Sequence, residues 1–378
     1  MMRLATVLLF VLATALPVNA GTIDPHLDRS LVPAGCPACH RGHGEPRSPM
    51  LPGPQNDVCL SCHGTQTDLN RQVSGARLSA SAAPGLIADQ LAQPFVHPLS
   101  DQAFSRHEPG VVVCTSCHSP HRTSVVRDSG NEFVKAISTR DPSRFEYELC
   151  EECHGGQGVT TRSLLDISRL FDANSRSYHP VKVPARETSP SLDAGLSGRE
   201  IDCTHCHGNS DPGGQRGLHG SAVRFVLRSA YTTLDGQDES VDTYRLCYEC
   251  HDRDLVIDSP AFPEHRRHIV EQRASCATCH NPHGSVENRA LIRFGEETTL
   301  AGVAPSMSTG LLAFESQVAG EGTCYVTCHG VDHGPEIYGG APAGLAAPGS
   351  TPPIGPDGTA SPARPGRPRK RDSRPKRE

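Results

Sequence analysis

The apolar positions of this chain are sparse and come in short bursts. Leu4 to Leu16 form an apolar run behind Arg3, closed by Val18-Asn19-Ala20. A basic start, an apolar stretch shorter than the roughly 20 residues that span a bilayer, and a small-residue end predict a secretory signal over 1–20, cleaved after Ala20. From Ser163 to Ala173, the residues Leu164, Leu165, Ile167, Leu170 and Phe171 recur at helical spacing and predict a helix. Ser221 to Tyr231 is a second apolar stretch whose pattern fits either helix or strand. Elsewhere Gly, Pro, Ser and Asp dominate, so irregular connections are expected. Residues 339–378 read as a disordered Gly/Pro-rich tail with a basic end.

Composition changes the picture. Only 36% of the 378 residues are hydrophobic and 4% aromatic, with no Trp, against 16 Cys and 20 His. An ordinary side-chain core is therefore thin, and something else must fill the interior or leave it disordered. Residues 21–363 are strongly acidic, while Arg364 to Glu378 carries eight basic residues against Asp372 and Glu378. An acidic secreted body argues against nucleic acid as partner. The basic end suits an acidic surface, such as a partner protein, anionic lipid or the protein's own body. No later stretch is apolar enough for a stable membrane span after signal cleavage.

The cysteines decide the question. They fall into eight close pairs: Cys36/Cys39, Cys59/Cys62, Cys114/Cys117, Cys150/Cys153, Cys203/Cys206, Cys247/Cys250, Cys276/Cys279 and Cys324/Cys328. Each pair is followed at once by a histidine: His40, His63, His118, His154, His207, His251, His280 and His329. Seven motifs are CxxCH; the last is CxxxCH. A disulfide framework explains even numbers but not the invariable His. Zinc sites pair a second CxxC some 15–20 residues on, and the intervals here are irregular and mostly longer. CxxCH is the attachment signal of c-type haem. Two thiols one helical turn apart reach the two vinyl groups on one porphyrin edge, and the next residue aims its imidazole at the iron. Eight covalent haems are expected, with the CxxxCH register the departure that a flexible turn must absorb.

A second axial ligand is needed for each six-coordinate iron. Only Met50 and Met307 remain after the signal, so Met cannot serve generally, and twelve further histidines are present. His43, His121 and His283 each follow a proximal His by three residues, and His219 follows the fifth motif at longer range. His26, His97, His179 and His268 precede the odd-numbered motifs. These eight are the expected distal ligands. His107 competes with His97 and His265 with His268. His333 is a candidate for the last haem, and His205, inside its own motif, is read as no ligand.

The runs CHSPH, CHNPH and YHPV, with motifs in consecutive pairs, resemble the doubled-CxxCH family of multihaem c-type cytochromes over about residues 26–333. The resemblance implies a chain of packed haems that passes electrons along the protein. The long Cys206-to-His219 interval and the CxxxCH depart from the pattern. The expected fold is mostly irregular with short α-helices and almost no sheet. Within 21–338, four stacked two-haem units are expected near 26–63, 97–154, 179–251 and 265–333. The expected function is electron transfer through mainly bis-His, low-potential haem c in the periplasm or at the cell exterior. Redox partner proteins are expected, with an outer-membrane conduit or filament neighbours among them. The alternative is an octahaem reductase of small nitrogen or sulfur compounds with one open iron, for which the CxxxCH haem is first suspect. No catalytic residue is assigned.

Overall fold

The computed structural model describes residues 24–41, 50–99, 112–121, 146–156, 166–294, 302–316, 318 and 320–339. The signal segment, His43, His107, Leu164, Leu165 and the basic tail lie outside the described residues.

Short helices sit where the cysteine motifs are. The helices are α1 (Gln55–His63), α2 (Gln66–Ser74), α3 (Ala88–Leu91), α4 (Cys114–Cys117), α5 (Glu146–His154), α6 (Arg245–Tyr248), α7 (Arg253–Ile257) and α8 (Cys276–Cys279). The first and fifth motifs form 3-10 turns at Cys36–Ala38 and Cys203–His205. One- and two-turn helices do not repay their own nucleation cost, so local bonds hold their ends. Thr65 opens α2 with a reciprocal box: its hydroxyl accepts from Asp68 N at 3.2 Å, and the Asp68 carboxylate accepts from Thr65 N at 3.0 Å. The Asp252 carboxylate accepts from Leu255 N at 2.9 Å and starts α7.

The helix expected over 163–173 is not formed in its described part. Residues 166–173 are irregular backbone and turns. Asp166 Oδ1 accepts from Ser168 N at 3.1 Å, and Asp172 Oδ1 accepts from Asn174 N at 2.7 Å. Such side-chain bonds offer the backbone a turn in place of a helical ladder. The apolar residues are buried all the same: Phe171, Tyr178 and Val181 form a small core, with Ile167, Tyr147 and Ile201 packed on it. The stretch 221–231 breaks at a 3-10 turn, where Phe225 and Val226 have φ of 63° and 53°.

Two antiparallel ladders, each two residues long, tie distant segments together. Strand β1 (Phe95–Val96) pairs with β3 (Gly220–Ser221), and β2 (Ser177–Tyr178) with β4 (Gly284–Ser285). The contacts divide the chain into two units, residues 1–301 and 302–378. The boundary falls between the seventh and eighth motifs. The second unit contains a four-stranded antiparallel sheet that the sequence pattern does not announce. In it β7 (Gly322–Cys328) pairs with β5 (Val303–Ala304) and β6 (Ala313–Glu315) on one side and with β8 (Val331–Tyr338) on the other. No helix among the described residues is long and apolar enough to cross a membrane.

Candidate functional site: paired imidazoles along the first unit

The first seven motifs share one local geometry. In five of them the backbone N–H of the closing histidine returns to the carbonyl of the first cysteine: His40 to Cys36 at 2.8 Å, His118 to Cys114 at 2.9 Å, His207 to Cys203 at 2.9 Å, His251 to Cys247 at 3.0 Å and His280 to Cys276 at 2.9 Å. The second and fourth motifs end α1 and α5, so Cys59 and Cys62, and likewise Cys150 and Cys153, stand on one helix each. The two thiols are thus one turn apart, and the imidazole follows them. The motif cysteines are not core residues. Cys36, Cys39, Cys117, Cys153 and Cys250 are exposed, and the other eleven are half-buried. Cys153 lies on the exposed side of the last turn of α5, while Cys150, one turn before it, faces inward to Cys203.

Each of these closing imidazoles has been brought against a histidine from elsewhere in the chain. Ring centroids are 6.0 Å apart for His26 and His63, 5.9 Å for His40 and His121, and 5.8 Å for His118 and His219. They are 6.4 Å apart for His179 and His251, 6.2 Å for His207 and His283, and 6.2 Å for His265 and His280. His97 is the nearest such partner of His154, lowering it after burial. With metal–imidazole bonds of ~2.0–2.1 Å, two imidazoles that shared one metal would have ring centres up to ~6.3 Å apart. The observed pairs match that separation. Among the described residues no cluster of three or more His, Cys, Asp and Glu could close around an ion, and the imidazoles come in twos.

Proton positions agree with ligation. Nδ1 of His63 contacts Gly85 O at 2.9 Å, His97 contacts Leu218 O at 2.8 Å, His207 contacts Phe225 O at 2.9 Å, His265 contacts Val256 O at 2.8 Å and His280 contacts Ala290 O at 2.7 Å. His179 Nδ1 bonds to Pro282 O. A carbonyl only accepts, so Nδ1 carries the proton and donates, leaving a lone pair on Nε2. Metal-bound histidines are fixed in this way by their second nitrogen. Burial, the first cause in each case, lowers His207, His219, His251 and His280 to about 4. These rings are therefore neutral at pH 7, the form that binds metal.

The ladders explain how the distal side chains are placed. His97 follows β1 and His219 precedes β3, so the first ladder sets them side by side. The second ladder does the same for His179, after β2, and His283, before β4. Both partner strands read His-Gly-Ser, at 219–221 and 283–285. The glycine is required by close approach: a Cβ on Gly220 would strike Gln90 O, and one on Gly284 would strike Leu170 O.

One expected partner differs. His265, not His268, faces His280. His268 lies within a π-helical turn (Arg266–Glu271), its Nδ1 donates to Glu264 O at 2.9 Å, and its ring stacks on Phe262 at 6.0 Å. The π-turn rotates the two histidines differently from a regular helix. His205 accepts a hydrogen bond from Asp202 N at 2.8 Å through Nδ1, inside its own turn.

A model of the outer membrane cytochrome MtrC/MtrF-like family, domains II/IV, matches residues 113–291, and a doubled CXXCH motif model matches residues 30–68. The chain is a multihaem c-type cytochrome. No curated protein and no solved structure matches it.

The first three motifs of the cytochrome are held against each other in order, and so are the fourth to seventh. The Cys59 thiol is pushed up by its hydrogen bond with Cys114, and Cys203 by its bond with Cys150. Burial, and then the neighbouring Cys206, push Cys247 up to about 12. Cys39 interacts with Cys62, and Cys276 with Cys247. A repeated clasp makes two of these junctions. Gln55, four residues before Cys59, accepts from Thr115 N at 2.9 Å and Thr115 Oγ1 at 2.7 Å. Glu146, four residues before Cys150, accepts from Thr204 N at 2.8 Å and Thr204 Oγ1 at 2.9 Å. Asp235 serves the seventh motif, accepting from Ser275 N at 2.7 Å and Thr278 Oγ1 at 2.6 Å. The haem-attachment pattern does not include these residues. A weaker signal for them is present, since Thr directly follows the first cysteine in both clasped motifs and a polar acceptor stands at the same offset in the helix before.

Proposed function

We propose that the first unit conducts electrons along haems attached at its seven CxxCH motifs, each iron held between two imidazoles. Bound haem supplies the one-electron chemistry. The chain's residues do the rest. The paired thiols from Cys36/Cys39 to Cys276/Cys279 anchor the porphyrins, and His40, His63, His118, His154, His207, His251 and His280 serve as proximal ligands. His121, His26, His219, His97, His283, His179 and His265 serve, in that order, as their partners. The observation that carries this reading is the set of imidazole pairs at 5.8–6.4 Å. Contacts among the first three motifs and among the fourth to seventh support transfer in motif order within each run, and the ladder that sets His97 beside His219 brings the third and fourth sites together. The expected count of eight includes CxxxCH, which stands in the second unit.

Two imidazoles on an iron leave no position for substrate, which favours conduction over reduction of small nitrogen or sulfur compounds. The signal-like first 20 residues and the match to an outer membrane cytochrome model support work outside the inner membrane, at the outer membrane or beyond it, with redox proteins as partners. The test is potentiometric titration of the holoprotein under carbon monoxide, followed in the visible bands. All haems titrating at low potential with no adduct is expected. A stoichiometric adduct in the native protein would move the reading to a reductase.

A further inference from the structure

The eighth motif does not have the shape that the other seven share. Cys324 and Cys328 both lie on β7. In an α-helical turn three residues advance ~4.5 Å along the axis, whereas four steps along a strand advance ~13 Å. A bulge between Cys324 and Val326 shortens this only slightly. One porphyrin edge spans the first distance and not the second.

The surroundings hold the strand extended. Cys324 pairs with Phe314 on one side and Glu336 on the other, and Cys328 with Val303 and Val331. The Asp332 carboxylate accepts from Met307 N at 2.9 Å, Ser308 N at 3.0 Å and Thr327 Oγ1 at 3.0 Å, stitching β7 and β8 to the segment before β6. His329 and Gly330, with φ of 48° and 80°, form the two-residue hairpin turn between β7 and β8. The N–H of His329 goes to Gly302 O at 2.8 Å rather than back to the first cysteine of its motif. Forming the helical turn of the other motifs would require breaking the pairing of the central strand on both edges.

We infer that the CxxxCH segment is a structural β-strand that carries no doubly attached haem, and that the mature cytochrome holds seven haems with Cys324 and Cys328 left as thiols. This rests on the reading of the CxxCH motifs as haem sites, and its test separates the two. Intact mass spectrometry of the purified holoprotein is expected to show the processed chain plus seven haem masses. Alkylation after unfolding is expected to label two cysteines, mapped by peptide analysis to Cys324 and Cys328. The Cys324→Ser/Cys328→Ser variant is expected to keep seven haems and the wild-type visible spectrum per chain. Eight haem masses, or loss of one haem in that variant, overturns the inference. A chain with no haem mass would overturn the haem reading as well.

Discussion

Glu146 allows the clasp between the fourth and fifth motifs to be weighed. Its side chain is 2% exposed, and both carboxyl oxygens accept from Thr204. Burial, and then the neighbouring Asp202, push its pKa up to about 7 from an ordinary value of 4.5. A raised carboxyl pKa means that the folded state binds the proton more tightly than the unfolded state. The associated stability is therefore full below the unfolded pKa and is lost as pH rises through the folded one. A shift of this size corresponds to roughly 3 kcal/mol across that window. Asp202 is also raised by burial, so it adds a smaller loss of the same sign. His205, which faces Asp202, is lowered by burial and acts in the opposite direction, losing stability as pH falls. Glu146→Gln keeps an acceptor for Thr204 and removes the titration, as Gln55 does naturally in the equivalent clasp on Thr115. The assay is guanidinium unfolding of wild-type and variant holoprotein between pH 5 and pH 8, read by circular dichroism. Wild type is expected to lose stability over this range, and the variant to lose less by most of that roughly 3 kcal/mol. Haem propionates are common to both proteins and cancel in the difference. Equal slopes would refute the reasoning.

Further outcomes follow from the imidazole pairs. His121→Ala is expected to leave the iron at Cys36/Cys39 with one imidazole, read as one high-spin haem per chain by electron paramagnetic resonance. An unchanged spectrum would remove His121 from the ligand set. His265→Ala is expected to open the iron at Cys276/Cys279 while His268→Ala leaves every iron closed, with carbon monoxide uptake as readout; the reverse result would restore His268. Gly284→Ala drives a methyl group into Leu170 O, so it is expected to disturb the ladder that places His179 and His283. Two irons, at the fifth and sixth motifs, then gain high-spin character together, and a wild-type spectrum would contradict the role given to the ladder.

What is legible in the sequence is local. CxxCH specifies a turn with its chemistry attached, so the attachment residues are evident from the motif itself. The distal pool is visible as well, because His97 and His179 stand in His-Pro runs and His121 and His283 close His-Ser-Pro-His and His-Asn-Pro-His runs. Which imidazole meets which is not visible. His118 meets His219 and His207 meets His283 across long stretches of chain, and that choice is made by two-residue ladders too short to leave a periodic signal. His265 against His268 turns on a π-turn, which no side-chain pattern announces. The strand through Cys324 and Cys328 is hidden for a different reason: its cysteines and closing histidine imitate the motif, while pairing with β5, β6 and β8 sets the backbone. Tertiary pairing there overrides the local preference.

The central claim is that every haem iron of the first unit lies between two histidines. Electron paramagnetic resonance of the fully oxidised holoprotein, integrated against its haem content, tests this most directly. Seven low-spin irons per chain with no high-spin signal is the predicted result. A high-spin signal amounting to one haem or more in the native protein would contradict it.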